Sequence, residues 1–182
     1  MNFLTKKRCL EIGENHPYYK GCYRWEYWKI VIYYLTIIDP KSCLELGAKI
    51  QSLVVDGDRI GKSKEEKPEY LWNAMDVPWP LKDKQYDVFI ALQVWEHLKG
   101  KQRSVFKEVA RISNWAILSF PYKWGGNSSH SKINKRKIQE WTHPYSFFIK
   151  PKIIKNKRII CIFNFSKNNK NQDKIRKKIK KI

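Results

Sequence analysis

The sequence predicts an α/β fold built on a mostly parallel sheet. Residues 86–92 and 115–120 are apolar runs, broken only by Asp87 and Ser119, too short for a membrane span and long enough for buried strands. Between them, Val105, Val109 and Ile112 recur at helical spacing, with Lys and Arg interspersed. A strand–helix–strand unit of this kind joins two parallel strands through a right-handed crossover. Open parallel sheets bind ligands just beyond the carboxyl ends of their strands. Residues 93–97 and 121–122 are therefore the first places to look for a site.

Taken in order, residues 1–22 have little regular pattern and read as an irregular lead-in. From Tyr23 the pattern sharpens. Trp25, Trp28, Ile32 and Leu35 step along one face of a helix, and Asp39-Pro40 ends it. The apolar part of that helix is far too short to cross a bilayer, so it is read as packed on the sheet, with a peripheral membrane helix as the alternative. Ser42 to Leu46 is a short strand that carries Glu45 and stops at Gly47. A second strand is expected to follow and to end at the Asp56-Gly57-Asp58 turn. Residues 70–74 suggest a third, ending at Met75-Asp76, and Val77-Pro78-Trp79-Pro80 a rigid turn. Residues 133–142 look helical, with Ser131 as a plausible cap. Residues 147–154 and 158–165 form a hairpin signal around Lys155-Asn156-Lys157. Residues 166–182 read as a basic, flexible tail.

The chain of 182 residues is long enough for one domain with a substantial core. The four Cys residues are widely spaced, and no signal-peptide pattern opens the chain. Free thiols and a cytoplasmic location are expected. The four His residues lack the spacing of a metal motif, so no metal is expected. The formal charge of +20 is uneven. Residues 166–182 carry eight Lys or Arg against the single Asp173. Such a run is either a solvated tail or a weak nucleic-acid or anionic-surface contact through residues 167–182.

Several residues carry chemistry by type and place. Glu45 is an acid inside an apolar run, which points to a site or to a buried pair. Asp56 and Asp58 suit either a ligand or a tight turn, and Asp76 either a ligand or a turn. Glu96-His97 follows the central strand, as an acid–base pair or as a cap.

As a set, Leu44-Glu45-Leu46-Gly47, Asp76 with Pro78-Trp79-Pro80, Lys84-Gln85-Tyr86-Asp87, residues 91–98 and residues 116–122 resemble the class I S-adenosylmethionine-dependent methyltransferases. The resemblance covers about residues 23–165, which form the methyltransferase-like domain. It implies a Rossmann-like, mostly parallel seven-stranded sheet with helices on both faces and an antiparallel last strand. It implies S-adenosylmethionine as cofactor. By position, Glu45 and Gly47 would flank the methionine part. Asp58, or else Asp56, would accept the ribose hydroxyls. Asp76 would accept from the adenine amine, with Met75 and Val77 near the ring. Gln93 and Val94 would line the methyl-transfer side. His97 and Glu96 are the candidates for a catalytic base, and Tyr122, His130 and His143 for the substrate wall.

Two features depart from that pattern. Ala48-Lys49-Ile50 replaces further glycines after Gly47. The interval from Gly47 to Asp76 is too short for two full strand–helix units, so the first or second crossover helix must be missing or reduced to a turn. These departures support a second reading, a catalytically inactive binding or scaffold protein on the same fold; charge and aromatic content alone support a third, a basic nucleic-acid-binding protein.

Overall fold

The computed structural model describes residues 1–16, 23–48, 51–123, 132–166 and 171–180. Helices α1 (Lys6–Asn15) and α2 (Trp25–Ile38) lead into strands β1 (Cys43–Leu46), β2 (Asp58–Gly61), β3 (Tyr70–Leu71) and β4 (Tyr86–Leu92). Helix α3 (Gln102–Ile112) connects to β5 (Ser113–Pro121). Helix α4 (Lys135–Thr142), the hairpin β6 (Lys152–Ile154) and β7 (Arg158–Asn164), and helix α5 (Gln172–Ile179) complete the order.

The strands form one seven-stranded sheet in the order β3-β2-β1-β4-β5-β7-β6. Pairings from β3 across to β5 are parallel, and β7 runs antiparallel to both β5 and β6. From Val88 to Leu92 strand β4 is buried on both faces, which is why that stretch reads as an unbroken apolar run. Its even-numbered residues Val88, Ile90 and Leu92 join α1, α2 and α5 on one side of the sheet. Phe89 and Ala91 face the opposite side, where Val105, Phe106 and Val109 of α3 and Ile138 and Trp141 of α4 pack.

The front half is shortened as expected, in both crossovers. Among the described residues, no helix joins β1 to β2, and only the 3-10 turn Lys64–Glu66 lies between β2 and β3. The N-terminal segment occupies part of the vacated space. Phe3 bridges antiparallel to Val54, Leu4 N donates to Leu53 O, and Leu4 is buried.

Several expectations change. The lead-in contains a helix, because Thr5 caps α1 through its hydroxyl, which accepts from Arg8 N at 3.1 Å, and Cys9 is buried. Cys9 is disulfide-bonded, so free thiols hold for Cys43 and Cys161 but not for Cys9. Separation along the chain does not report proximity in space. The second strand begins at Asp58 instead of ending there. Leu53 and Val54, the apolar run taken for it, are buried against the N-terminal segment and α2 side instead. Asn134, not Ser131, caps α4, accepting from Lys137 N at 2.9 Å; Ser131 lies outside the described residues. The basic tail contains α5, which is anchored by buried Ile179 and by Arg176 lying 4.7 Å over the Phe148 ring. No described helix is long and apolar enough to cross a membrane.

Candidate functional site

The strand order reverses between β1 and β4, and the two strands end side by side there, Leu46 opposite Ala91. In an open parallel sheet this switch point opens the crevice in which ligands bind. Gly47 follows β1 with φ +82°, a left-handed conformation that favours glycine. A Cβ at Gly47 would meet Val94 Cγ2 at 2.2 Å. So the residue after β1 must be glycine for both conformation and space.

Beyond β4 the chain turns sharply. Gln93 adopts φ 61°, its N–H donates to Ser119 O at 3.0 Å, and its side-chain amide donates to Ser119 Oγ at 3.0 Å. This ties the turn to β5 and delivers the 3-10 turn Trp95–His97 to the rim. Trp95 is fully buried and anchors it between Phe89 and Phe106. Glu96 is also buried, and its Oε2 has no hydrogen-bond partner among the described residues. Burial pushes its carboxyl up to about 7, and Arg158 partly opposes the shift. His97 is exposed, with Nε2 4.0 Å from Glu96 Oε1.

Arg158 reaches the same edge because β7 runs antiparallel, so its first residue pairs with Pro121 at the end of β5. Burial holds its guanidinium below the ordinary value, while Tyr27 and Glu96 draw it back up. Half-buried Tyr122 follows, its N–H donating to Lys157 O at 3.0 Å, and Lys123 Nζ lies 5.4 Å over its ring. Sequence reasoning missed Arg158, since only pairing across the sheet brings it to Glu96. The one available signal was a charge at the mouth of the predicted hairpin.

After β3, residues 72–76 form a tight turn at the carboxyl end. Trp72 Nε1 donates to Asp76 O at 2.7 Å, and Met75 N donates to Asn73 Oδ1 at 3.3 Å. Buried Trp79 supports this turn from below, donating from Nε1 to Ala74 O at 3.0 Å. Asp76 and Val77 are exposed, and Met75 is partly buried against the core.

The remaining acids do not gather here. Glu45 lies at the end of β1, but its Oε2 accepts from Ser52 Oγ and Leu53 N, both at 2.7 Å. It holds the crossover in shape. Burial pushes its carboxyl up to about 7, against these hydrogen bonds. Asp58 is at the amino end of β2, level with Leu44, and accepts from Tyr86 Oη at 2.5 Å. The expected ribose acid therefore sits at the wrong end of its strand. The alternative, Asp56, accepts from Asn2 N at 3.0 Å. At the carboxyl end of β2 the chain offers Lys62 and Ser63. His130 lies outside the described residues, and His143 lies apart, just after α4, bonded to Arg103. Among the described residues, no group of three or more His, Cys, Asp or Glu could hold a metal ion.

Comparison with solved structures places this architecture. The methyltransferase domain of bacterial CtHen1 superposes with a TM-score of 0.55 at 16% identity, over 78% of this chain and 98% of that domain. A SAM-dependent methyltransferase from Aquifex aeolicus gives 0.57 at 11% identity, over 90% of this chain and all of the other. The fold is a class I methyltransferase fold. A third methyltransferase-fold neighbour is the bifunctional kinase-methyltransferase WbdD, with a TM-score of 0.61 at 15% identity, over 86% of this chain and 43% of that one. No protein-family model matches the sequence, and no curated protein matches it. The front half of this fold has no helix between β1 and β2 among the described residues.

Proposed function

We propose that this chain is an S-adenosylmethionine-dependent methyltransferase whose cofactor lies across the carboxyl ends of β1, β3 and β4. One observation carries this reading: Gly47 and the buried, half-satisfied Glu96 flank the switch point of a methyltransferase-type sheet. The residues present fit the cofactor at its two ends. Exposed Asp76 with Met75 suits the adenine, and the glycine turn after β1 suits the methionine part. The ribose would meet Lys62 and Ser63 in place of a carboxylate, so affinity is expected to be modest.

The bound cofactor supplies an already electrophilic methyl carbon, which leaves the protein the tasks of alignment and proton removal. Glu96 is suited to the second task. A carboxyl near 7 accepts a proton at neutral pH more readily than an ordinary exposed carboxylate. Arg158 is placed to steady the charged form. Acceptor methylation is then expected to rise with pH through about 7 and to fall by roughly two to four orders of magnitude in Glu96→Gln. A flat profile in the wild type would remove Glu96 from the chemistry.

Calorimetry with S-adenosylhomocysteine tests the cofactor site itself. Asp76→Ala should weaken binding by roughly tenfold or more, the loss of one charge-assisted hydrogen bond. Asp58→Ala should leave it unchanged, because Asp58 belongs to the opposite end of the sheet. The reverse ranking would overturn the assignment. A second reading, a non-catalytic binding module on this fold, is favoured by the engagement of Glu45 and Asp58 with protein partners. Absence of any heat with either cofactor form would select it.

A further inference from the structure

Helix α3 packs against α4 on one face of the sheet, and a groove of about 560 Å³ runs along them. Arg103, Arg136, Gln139, Glu140 and His143 line it. Arg103 Nη2 and His143 Nδ1 are 2.9 Å apart, which fixes the guanidinium at the groove wall. A second hollow of about 370 Å³ adjoins it, sharing Arg136 and Glu140 and adding Lys132 and Lys137. The one acid, Glu140, contacts both Arg136 at 3.4 Å and Lys137 at 3.5 Å, so the lining remains strongly cationic. Lys107, exposed on α3, adds to the same helix.

Helix α4, which lines the groove, is tied to the end of β5 that carries the candidate site. Lys123 N donates to Ile133 O at 3.0 Å, joining the segment after β5 to the start of α4. Trp141 of α4 packs on Phe120 near the end of β5, with ring centroids 6.1 Å apart. Tyr122, at the rim, is partly buried against the core, with Lys123 Nζ 5.4 Å over its ring. A line of guanidinium and ammonium groups suits the phosphates of a single-stranded nucleic acid, and Tyr122 at the nearby strand end supplies an aromatic ring of the kind on which bases stack.

We propose that the α3–α4 groove binds the phosphate backbone of a single-stranded nucleic acid, which is the methyl acceptor presented at Tyr122 and Glu96. The acceptor role rests on the methyltransferase reading above; the binding surface does not. Helix α5 is a cationic surface on the opposite face, since Ile175 and Ile179 pack with the α2 side of the core. It serves as an internal control for net charge.

The test is fluorescence anisotropy of a labelled single-stranded RNA or DNA of about a dozen nucleotides, titrated without cofactor at several salt concentrations. The double variant R103Q/R136Q should weaken binding at least tenfold. It should also lower the slope of log affinity against log salt by about 1.4, as expected for two lost phosphate contacts on a single strand. K174Q/K177Q on α5 should change affinity by less than about threefold, as removing unspecific charge does. Unchanged thermal melts show that both variants fold; if R103Q/R136Q melts early, Arg136→Gln alone replaces it with the same expected direction. Equal losses in the two double variants, loss only in the α5 variant, or binding to phosphatidylserine vesicles without binding to oligonucleotides would each overturn the proposal. Binding that follows the groove while calorimetry shows no cofactor heat would sustain the surface and refute only the acceptor role.

Discussion

Gly47 shows how one residue can be fixed by two constraints at once. Its backbone is left-handed, and its missing side chain admits Val94. Gly47→Ala should cost about 2 kcal/mol or more, combining the left-handed penalty with the clash. Adding Val94→Ala should return part of that loss in urea denaturation; strict additivity of the two substitutions would refute the close-approach explanation. Glu45 and Glu96 make a pH prediction. Each has an ordinary value of 4.5 and is pushed up to about 7 in the folded chain. Between those values the folded state holds protons that the unfolded state has released. Stability therefore falls as pH rises through this window, by on the order of 3 kcal/mol for each group. Urea midpoints at pH 5 and pH 8 should show that fall, reduced by about half in Glu45→Gln. An undiminished difference would mean that Glu45 is not responsible. An acid in an apolar run marks Glu45 as special in the sequence. That Ser52 and Leu53 receive it depends on the path of the crossover, which no local pattern encodes.

At the scale of elements, the front half of the sheet is joined by connections without a full helix among the described residues, and cations tie them down. Arg111 donates to Trp79 O and Leu81 O and bridges Glu108 at 2.7 Å and Asp83 at 2.8 Å. Arg59 does the same for the β2–β3 connection, donating to Glu66 O and Lys67 O. Lys84 Nζ caps the end of α3 at Ala110 O and Ser113 O, both at 2.7 Å. Removing such a donor strands carbonyls in partly buried places. Arg111→Ala is expected to destabilise by about 2–3 kcal/mol, and Arg111→Lys to recover only part, because an ammonium cannot span the same fork of acceptors. Asp83→Ala should cost less than about 1 kcal/mol, its carboxylate being largely exposed. Equal costs for Arg111→Ala and Asp83→Ala in chemical denaturation would show that the salt bridge, not the carbonyl bonding, matters. The hairpin from β6 to β7 was legible from two apolar runs around a polar triplet. Its turn takes left-handed backbone at both Lys155 and Asn156, the primed geometry that suits twisted strands.

For the whole molecule, the balance of charge is sharper than its total suggests. Of the 17 acids, Glu45, Asp58, Glu69 and Glu108 are turned onto internal donors. The outward field is dominated by the lysines and arginines, which number 37. Mutual repulsion at +20 should oppose compaction, so the melting temperature should rise by a few degrees between about 20 and 300 mM salt as screening shortens the Debye length. A fall measured by calorimetry would mean that surface ion pairs outweigh repulsion. Part of the basic tail is also structural. Ile179 of α5 is 2% exposed and closes the α2 face, so the tail cannot be treated as only a charged appendage.

The sequence by itself determined helix α2, the parallel β4–α3–β5 unit at the centre of the sheet and the closing hairpin. These follow from apolar runs, helical spacing and turn residues, which act locally and are written along the chain. It also singled out Gly47, Glu96 and His97, whose placement depends only on where a strand stops. Only the tertiary structure decided that Asp58 starts its strand instead of ending it, that Glu45 serves the crossover, and that Arg158 returns to the edge where Glu96 lies. Register, hydrogen-bond partners and antiparallel return bring together residues far apart in sequence, and those relations exist only once the sheet has closed.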